Sequence, residues 1–259
     1  MTRDAHYRAK LAHRARGLAE FDRRVGGIVR EIDERLTRQD IVRVLELGCG
    51  YSTALLELRA RYGARVDLHG MNRLQGDGDR DILLRNAAER GLVVDDTDPA
   101  RALPQLSYGD VASGLPFPDD TFDVVASQVA WLYFRNKIGV VREVLRVLKR
   151  DGIAKIDTDE IDPKLPPEYA RLVEIWENGR LVPFGDYLRR YGLGFETAQE
   201  GEYLRLAKRA GVGDDLALLF EIDTSRVHAH FDGVKCVYAC VSGVARTPSA
   251  TSASIAASS

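Results

Sequence analysis

At 259 residues, with 45% apolar and 29% charged side chains, the chain can bury one sizeable core with appendages. Its net charge of −2 gives no overall basic field of the kind that draws nucleic acid, and no nucleic-acid partner is expected. No apolar run reaches the roughly 18 residues of a membrane span, so no membrane partner is expected either.

Residues 5 to 38 are rich in Ala, Arg, Leu and Glu and lack proline. They predict one or two helices, broken near Gly26-Gly27, within an N-terminal helical extension of residues 1–40. Up to Arg43 there are 11 Lys/Arg against 7 Asp/Glu, a bias that suits a solvated helix face. From Ile41 the pattern alternates. Strands are predicted over Ile41 to Leu47, Arg65 to Met71, Leu106 to Gly109, Phe122 to Gln128 and Ile153 to Asp157. Helices are predicted over Tyr51 to Tyr62, Arg80 to Arg90 and Lys137 to Lys149. The fourth strand is apolar at nearly every position, as a strand covered on both faces should be. This alternation predicts an α/β fold, a doubly wound and mostly parallel sheet, over residues 41–160.

Residues 161–196 break the pattern with Pro163, Pro166, Pro167 and Pro183 and with Tyr169, Trp176, Phe184, Tyr187, Tyr191 and Phe195. An aromatic insertion after the fifth strand is expected to cap the carboxyl edge of the sheet, where open α/β sheets bind ligands. Within residues 197–246, the C-terminal part of the core, a helix is predicted over 198 to 211. Leu216 to Ile222 and Lys235 to Val244 predict an antiparallel closing hairpin around Asp232-Gly233. The tail, 247–259, is Ser-, Ala- and Thr-rich and reads as disordered. Cys49, Cys236 and Cys240 have no metal-ligand spacing, so no metal is expected. With no signal peptide in view they suit a reducing cytoplasm. Cys236 and Cys240 are expected to share one face of a strand.

The most informative stretch is Val44-Leu45-Glu46-Leu47-Gly48-Cys49-Gly50-Tyr51-Ser52. An apolar run, two glycines and a helical pattern form a nucleotide-binding strand–loop–helix turn, in which glycine lets the backbone approach a ligand. A dinucleotide fingerprint needs a third glycine where Thr53 stands, which weakens a nicotinamide reading.

Downstream lie Tyr108-Gly109-Asp110-Val111, then Leu115-Pro116-Phe117-Pro118-Asp119-Asp120-Thr121-Phe122-Asp123-Val124-Val125. After these comes Glu143-Val144-Leu145-Arg146-Val147-Leu148-Lys149-Arg150-Asp151-Gly152. With Glu46-x-Gly48-x-Gly50, and Ser52 as the third small residue, this series resembles the class I S-adenosylmethionine (SAM) methyltransferase superfamily. Within it the series is similar to the small-molecule branch that includes the ubiquinone and menaquinone methyltransferases. The resemblance implies a Rossmann-like fold and SAM as cofactor. It places the loop from Gly48 through Cys49 and Gly50 to Ser52 under the methionine part and ribose, has Glu46 hold this loop or reach the ammonium through water, and counts Ser127 among the cofactor-binding residues. It also places the Asp110 carboxylate and the Val111 backbone at the adenine. The acid that usually ends the second strand is replaced by Asn72, in His69-Gly70-Met71-Asn72, and the sequence leaves open whether Asn72 or His69 meets the ribose.

After the fourth strand the run is Ser127-Gln128-Val129-Ala130-Trp131-Leu132-Tyr133-Phe134-Arg135-Asn136-Lys137. Leu132 and Asn136 stand where many relatives carry His and Asp. The expected reaction face is therefore aromatic, built from Trp131, Tyr133 and Phe134. Acids are available only at Asp157, Asp159, Glu160 and Asp162, with Asp159 taken as the catalytic candidate. Aromatic faces attract sulfonium and ammonium cations. A base is needed only where the nucleophile must lose a proton. These features fit methyl transfer to a small-molecule substrate, an amine or an already acidic nucleophile, by a monomer or homodimer. They keep open, as the alternative, an enzyme that cyclises SAM itself to azetidine-2-carboxylate and releases methylthioadenosine.

Overall fold

The computed structural model describes residues 16–92, 103–134, 136–158, 174–177, 180–183, 195–200, 203–208, 220–223, 229–231, 236–238 and 242–245. The expected alternation is present. Strands β1 (Val42–Leu47), β2 (Val66–Asn72), β3 (Gln105–Tyr108), β4 (Phe122–Ser127) and β5 (Leu148–Asp157) alternate with helices α3 (Thr53–Tyr62), α4 (Arg80–Glu89) and α5 (Lys137–Val147). Ahead of them, α1 (Leu18–Arg24) and α2 (Ile28–Leu36) are separated at Gly26-Gly27, where the composition predicted the break.

Two faces of apolar side chains define the sheet's layers. On one, Leu45, Leu47, Val125 and Ile156 meet Val140, Val141, Val144 and Leu145 of α5. On the other, Val42, Val44, Val124 and Ala126 meet Phe21, Ile28 and Ile32 of the N-terminal helices and Leu55 and Leu58 of α3. Successive residues Val44 and Leu45 serve opposite faces, the period-2 alternation of a strand covered on both sides. Each such fully buried side chain contributes about 1.5–3 kcal/mol.

The main sheet runs β3-β2-β1-β4-β5-β9-β8. Strands β1 to β5 pair in parallel, and β9 (Tyr203–Lys208) and β8 (Phe195–Glu200) close the edge antiparallel. The order reverses between β1 and β4, so their carboxyl ends splay helices to opposite faces and leave a crevice. The closing hairpin thus exists, but one step earlier in the chain than the sequence suggested. Residues 198–200, in β8, and 203–208, β9, are strand, not helix: β9 supplies β5 with the partner its open edge lacks, and Leu204 and Leu206 are buried while Tyr203 and Arg205 are not.

The two segments expected to form that hairpin lie outside the main sheet. Strand β10 (Phe220–Asp223) pairs antiparallel with β13 (Ser242–Ala245), in a four-stranded sheet with β6 (Glu174–Glu177) and β7 (Arg180–Pro183). Strands β11 (Ala229–Phe231) and β12 (Cys236–Tyr238) pair antiparallel with each other, and the expected turn at Asp232-Gly233 lies outside the described residues. Of the expected cap, only β6, β7 and the first two residues of β8 are among the described residues. Tyr169, Phe184, Tyr187 and Tyr191 lie outside them, as do Cys240 and the tail 247–259.

The Glu143…Arg146 part of the motif series proves to be a clamp. Glu143 accepts from the Leu115 N–H at 2.6 Å. The Arg146 guanidinium donates to the carbonyls of Phe117 (2.8 Å) and Leu115 (3.0 Å) and to Asp119 (2.8 Å). Helix α5 thereby fixes the loop that leads into β4.

Candidate cofactor and reaction site

At the end of β1 the chain turns through Gly48 (φ +73°) and Gly50 (φ +53°), a left-handed backbone that glycine adopts freely. Gly48 needs its missing Cβ for a second reason: a Cβ there would collide with Ala130. At Gly50 an added Cβ would meet nothing within 4 Å, so this side of the loop faces open space. The N–H groups of Gly48 and Cys49 both donate to the Met71 carbonyl, at 2.7 and 3.3 Å. Ser127 is fully buried, and its hydroxyl donates to the Leu47 carbonyl at 3.0 Å, tying β4 to the loop's entry.

Two amides hold the loop from either side. The Asn72 carbonyl accepts from the Gly50 N–H at 2.8 Å, and its NH₂ donates back to the Gly50 carbonyl at 2.9 Å and to Gly78 at 3.3 Å. Asn86 of α4 donates to the Tyr51 carbonyl (2.9 Å) and the Thr53 hydroxyl (2.8 Å). The Asn72 amide is thus committed to the loop backbone. A carboxylate could not make this pairing, because two of the three partners are carbonyl oxygens. His69 pairs with Asp67 at 3.1 Å and packs edge-on against Phe117 and Phe122. The Cys49 sulfur is buried beneath the loop, where Gly70 leaves room for it, and burial pushes its thiol pKa up.

Beneath the loop Glu46 is buried, and burial pushes its carboxyl up to about 8. Its Oε2 has no hydrogen-bond partner among the described residues, nor has the buried Nε2 of Gln128 at the end of β4. Orphaned polar atoms of this kind are rare and costly unless a ligand completes them. Asp110 is exposed and accepts from the Ala112 N–H at 3.0 Å, while Val111 is buried beside it.

On the reaction side, Trp131 is only 1% exposed and belongs to the core, with Phe134 edge-on at 6.3 Å. Tyr133 and Phe134 are half-buried against that core, and β12 runs alongside their turn. Lys137 is buried under the turn and donates to the carbonyls of Trp131 (3.0 Å) and Phe134 (2.9 Å). Asp157 is buried and accepts from the Val129 N–H, so it is not an open base. Asp159, Glu160 and Asp162 lie outside the described residues. Among the described residues, no group of His, Cys, Asp and Glu could hold a metal ion, and no helix is long and apolar enough to cross a membrane.

The motif series and its crevice coincide with a known family profile. Residues 45–156 match the model of a family described as a methyltransferase domain. S-adenosylmethionine is that family's cofactor, and the crevice fits it: an orphaned carboxylate for a cation, and a glycine backbone open on one side. The chain is 33% identical over 110 residues to a glycine/sarcosine/dimethylglycine N-methyltransferase of Actinopolyspora halophila, covering 42% of this chain and 17% of that protein. It is 51% identical over 41 residues to the uncharacterized methyltransferase YcgJ of Bacillus subtilis, covering 16% of each. The chain therefore spans about a sixth of the length of these relatives. Among solved structures it resembles a SAM-dependent methyltransferase from Aquifex aeolicus, at 16% identity and a TM-score of 0.42, covering 68% of this chain and 86% of that one.

Sequence reasoning passed over Asn86 and Lys137. Each carried a signal: a polar residue on the buried face of a helix, and a lysine just ahead of the Ile138-Gly139-Val140-Val141 run that opens another.

Proposed function

We propose that the protein transfers the methyl group of SAM to a small metabolite, an amine or an already acidic nucleophile. The observation that carries this reading is the Glu46 carboxyl group, buried beneath a glycine loop that is open at Gly50, with one oxygen lacking a hydrogen-bond partner among the described residues. Bound in the crevice, SAM supplies an electrophilic methyl carbon on a sulfonium. Glu46 takes the cofactor's ammonium, and Asp110 and Val111 take the adenine. The Asn72 amide acts on the cofactor indirectly, by fixing the loop. Tyr133 and Phe134 wall the reacting centre, hold the acceptor in line and exclude water. Trp131 supports them from below. The described residues put no free base over this face, which suits an acceptor that needs none.

Units at 1–40, 41–160, 161–196 and 197–246, a cytoplasmic setting and a monomeric or homodimeric state belong to the same proposal. The N-methyltransferase relative suggests glycine and sarcosine as first acceptors. The test is incubation of the full chain with SAM, alone and with a panel of small amines and acids that includes these two. S-adenosylhomocysteine formed only with an acceptor supports methyl transfer. Methylthioadenosine formed from SAM alone overturns it in favour of cyclisation to azetidine-2-carboxylate.

A further inference from the structure

Val129 has φ +59°, a left-handed backbone that a β-branched residue adopts only under constraint. It opens the turn that carries the reaction face. Ala130 follows and packs onto Gly48, and the Tyr133 and Phe134 N–H groups then donate to the carbonyls of Ala130 (2.9 Å) and Trp131 (3.2 Å). So the strained residue decides where the turn sits on the glycine loop.

The turn is held at both ends by opposite charges. At its start, Asp157 Oδ2 accepts from the Val129 N–H at 3.2 Å. At its end, the Lys137 ammonium donates to the carbonyls of Trp131 and Phe134. Each charge meets the peptide pole it attracts. The same Asp157 oxygen accepts from Arg24 Nη1 at 3.3 Å, and the Asp157 side chain is 1% exposed. Arg24 lies in the last turn of α1, far away in sequence, and Glu20 of the same helix steadies its Nε at 3.0 Å.

We propose that Asp157 and Arg24 are positioning residues for the reaction-side turn, so that helix α1 sets the geometry of the site without touching a ligand. Arg24 aims the buried Asp157 carboxylate, and Asp157 holds Val129 in its unfavourable conformation. The placement rests on this geometry alone. Only its consequence for turnover rests on the methyltransferase reading.

The test is amide hydrogen exchange of the full chain, without ligand, for Arg24→Gln, Arg24→Lys and Asp157→Ala. In Arg24→Gln and Asp157→Ala, exchange should rise about tenfold in residues 128–134, the loss of one charge-assisted hydrogen bond, and stay unchanged in β1 and β4. Arg24→Lys should retain most of the protection. Should Asp157→Ala not fold, Arg24→Gln decides. Replacing Val129 by Gly removes the strain, so adding Arg24→Gln to Val129→Gly should change exchange by less than about twofold. Unchanged exchange at 128–134 in folded Arg24→Gln, or a rise shared equally by 42–47, overturns the proposal. With an acceptor that turns over, Arg24→Gln should lower kcat about tenfold and leave KM for SAM near its original value. If the unaltered protein turns over no acceptor, the methyltransferase reading fails, while the exchange result still decides the role of Arg24.

Discussion

The glycine loop after β1 and the turn after β4 touch at Gly48 and Ala130, yet they are held by different physics. The glycine loop is fixed by neutral partners: the Asn72 and Asn86 amides, the Met71 carbonyl and the Ser127 hydroxyl. Two of its three residues at positive φ are glycines and the third, Ser52, is not β-branched, so less strain is stored. The reaction-side turn is fixed by ions, Asp157 and Lys137, against an unfavourable Val129. The cofactor side is thus preorganised by its own backbone. The reaction side depends on charges delivered from β5, α5 and, through Arg24, α1. Beneath the glycine loop, Glu46 is left without a partner for one oxygen among the described residues.

Glu46 gives the largest expected effect. Its folded pKa, about 8, lies well above the ordinary glutamate value of 4.5. Below pH 4.5 both folded and unfolded states hold the proton, and no penalty exists. As pH rises from there to 8, the unfolded chain releases the proton while the folded chain keeps it. Stability should fall by about 1.4 kcal/mol per pH unit across that window, several kcal/mol in all. Urea denaturation from pH 4.5 to 8.5 should show this decline, and Glu46→Gln should flatten it. A cationic ligand paired with Glu46 displaces the proton, so SAM should gain affinity as pH rises toward 8. Calorimetry in two buffers of different ionisation enthalpy would detect the released proton.

Gly48→Val attacks the contact between the two regions. The β-branched side chain at φ +73° and the clash with Ala130 together should cost about 3 kcal/mol of stability and abolish SAM binding. Gly50→Ala, with open space around it, should cost about 1 kcal/mol, so the pair of melting curves separates collision from backbone strain.

Asn72→Asp restores the acid common at this position and asks whether the amide is there for the loop. A carboxylate would face the Gly50 and Gly78 carbonyls with no proton to offer. We expect about 2 kcal/mol lost from both stability and SAM affinity. Tighter SAM binding by Asn72→Asp would show that residue 72 reads the ribose instead. The smallest effect belongs to Tyr133→Leu. Loss of the half-buried ring should lower turnover by about 0.5–2 kcal/mol of transition-state stabilisation, with SAM affinity barely changed. Steady-state kinetics beside calorimetry resolves the two.

Local pattern determined much of this protein. The break at Gly26-Gly27, the five parallel strands with their helices and the glycine turn are all legible in the sequence, because period and turn chemistry act over a few residues. Segment 198 to 208 is different. Its Gln, Glu, Leu, Ala, Lys and Arg favour helix, while Tyr203-Leu204-Arg205-Leu206 also alternates as a strand. The unpaired edge of β5 decided between them, and no local rule contains that edge. The site divides in the same way. Residue types at Gly48 and Gly50 announced a sharp turn between strand and helix before any fold was known. That Asn72 spends its amide on Gly50, that Trp131 is core, and that Asp157 joins Arg24 to Val129 were decided by tertiary structure. Each depends on bringing together groups 22 to 133 residues apart in the chain, and on how burial leaves a polar group no partner but the one beside it.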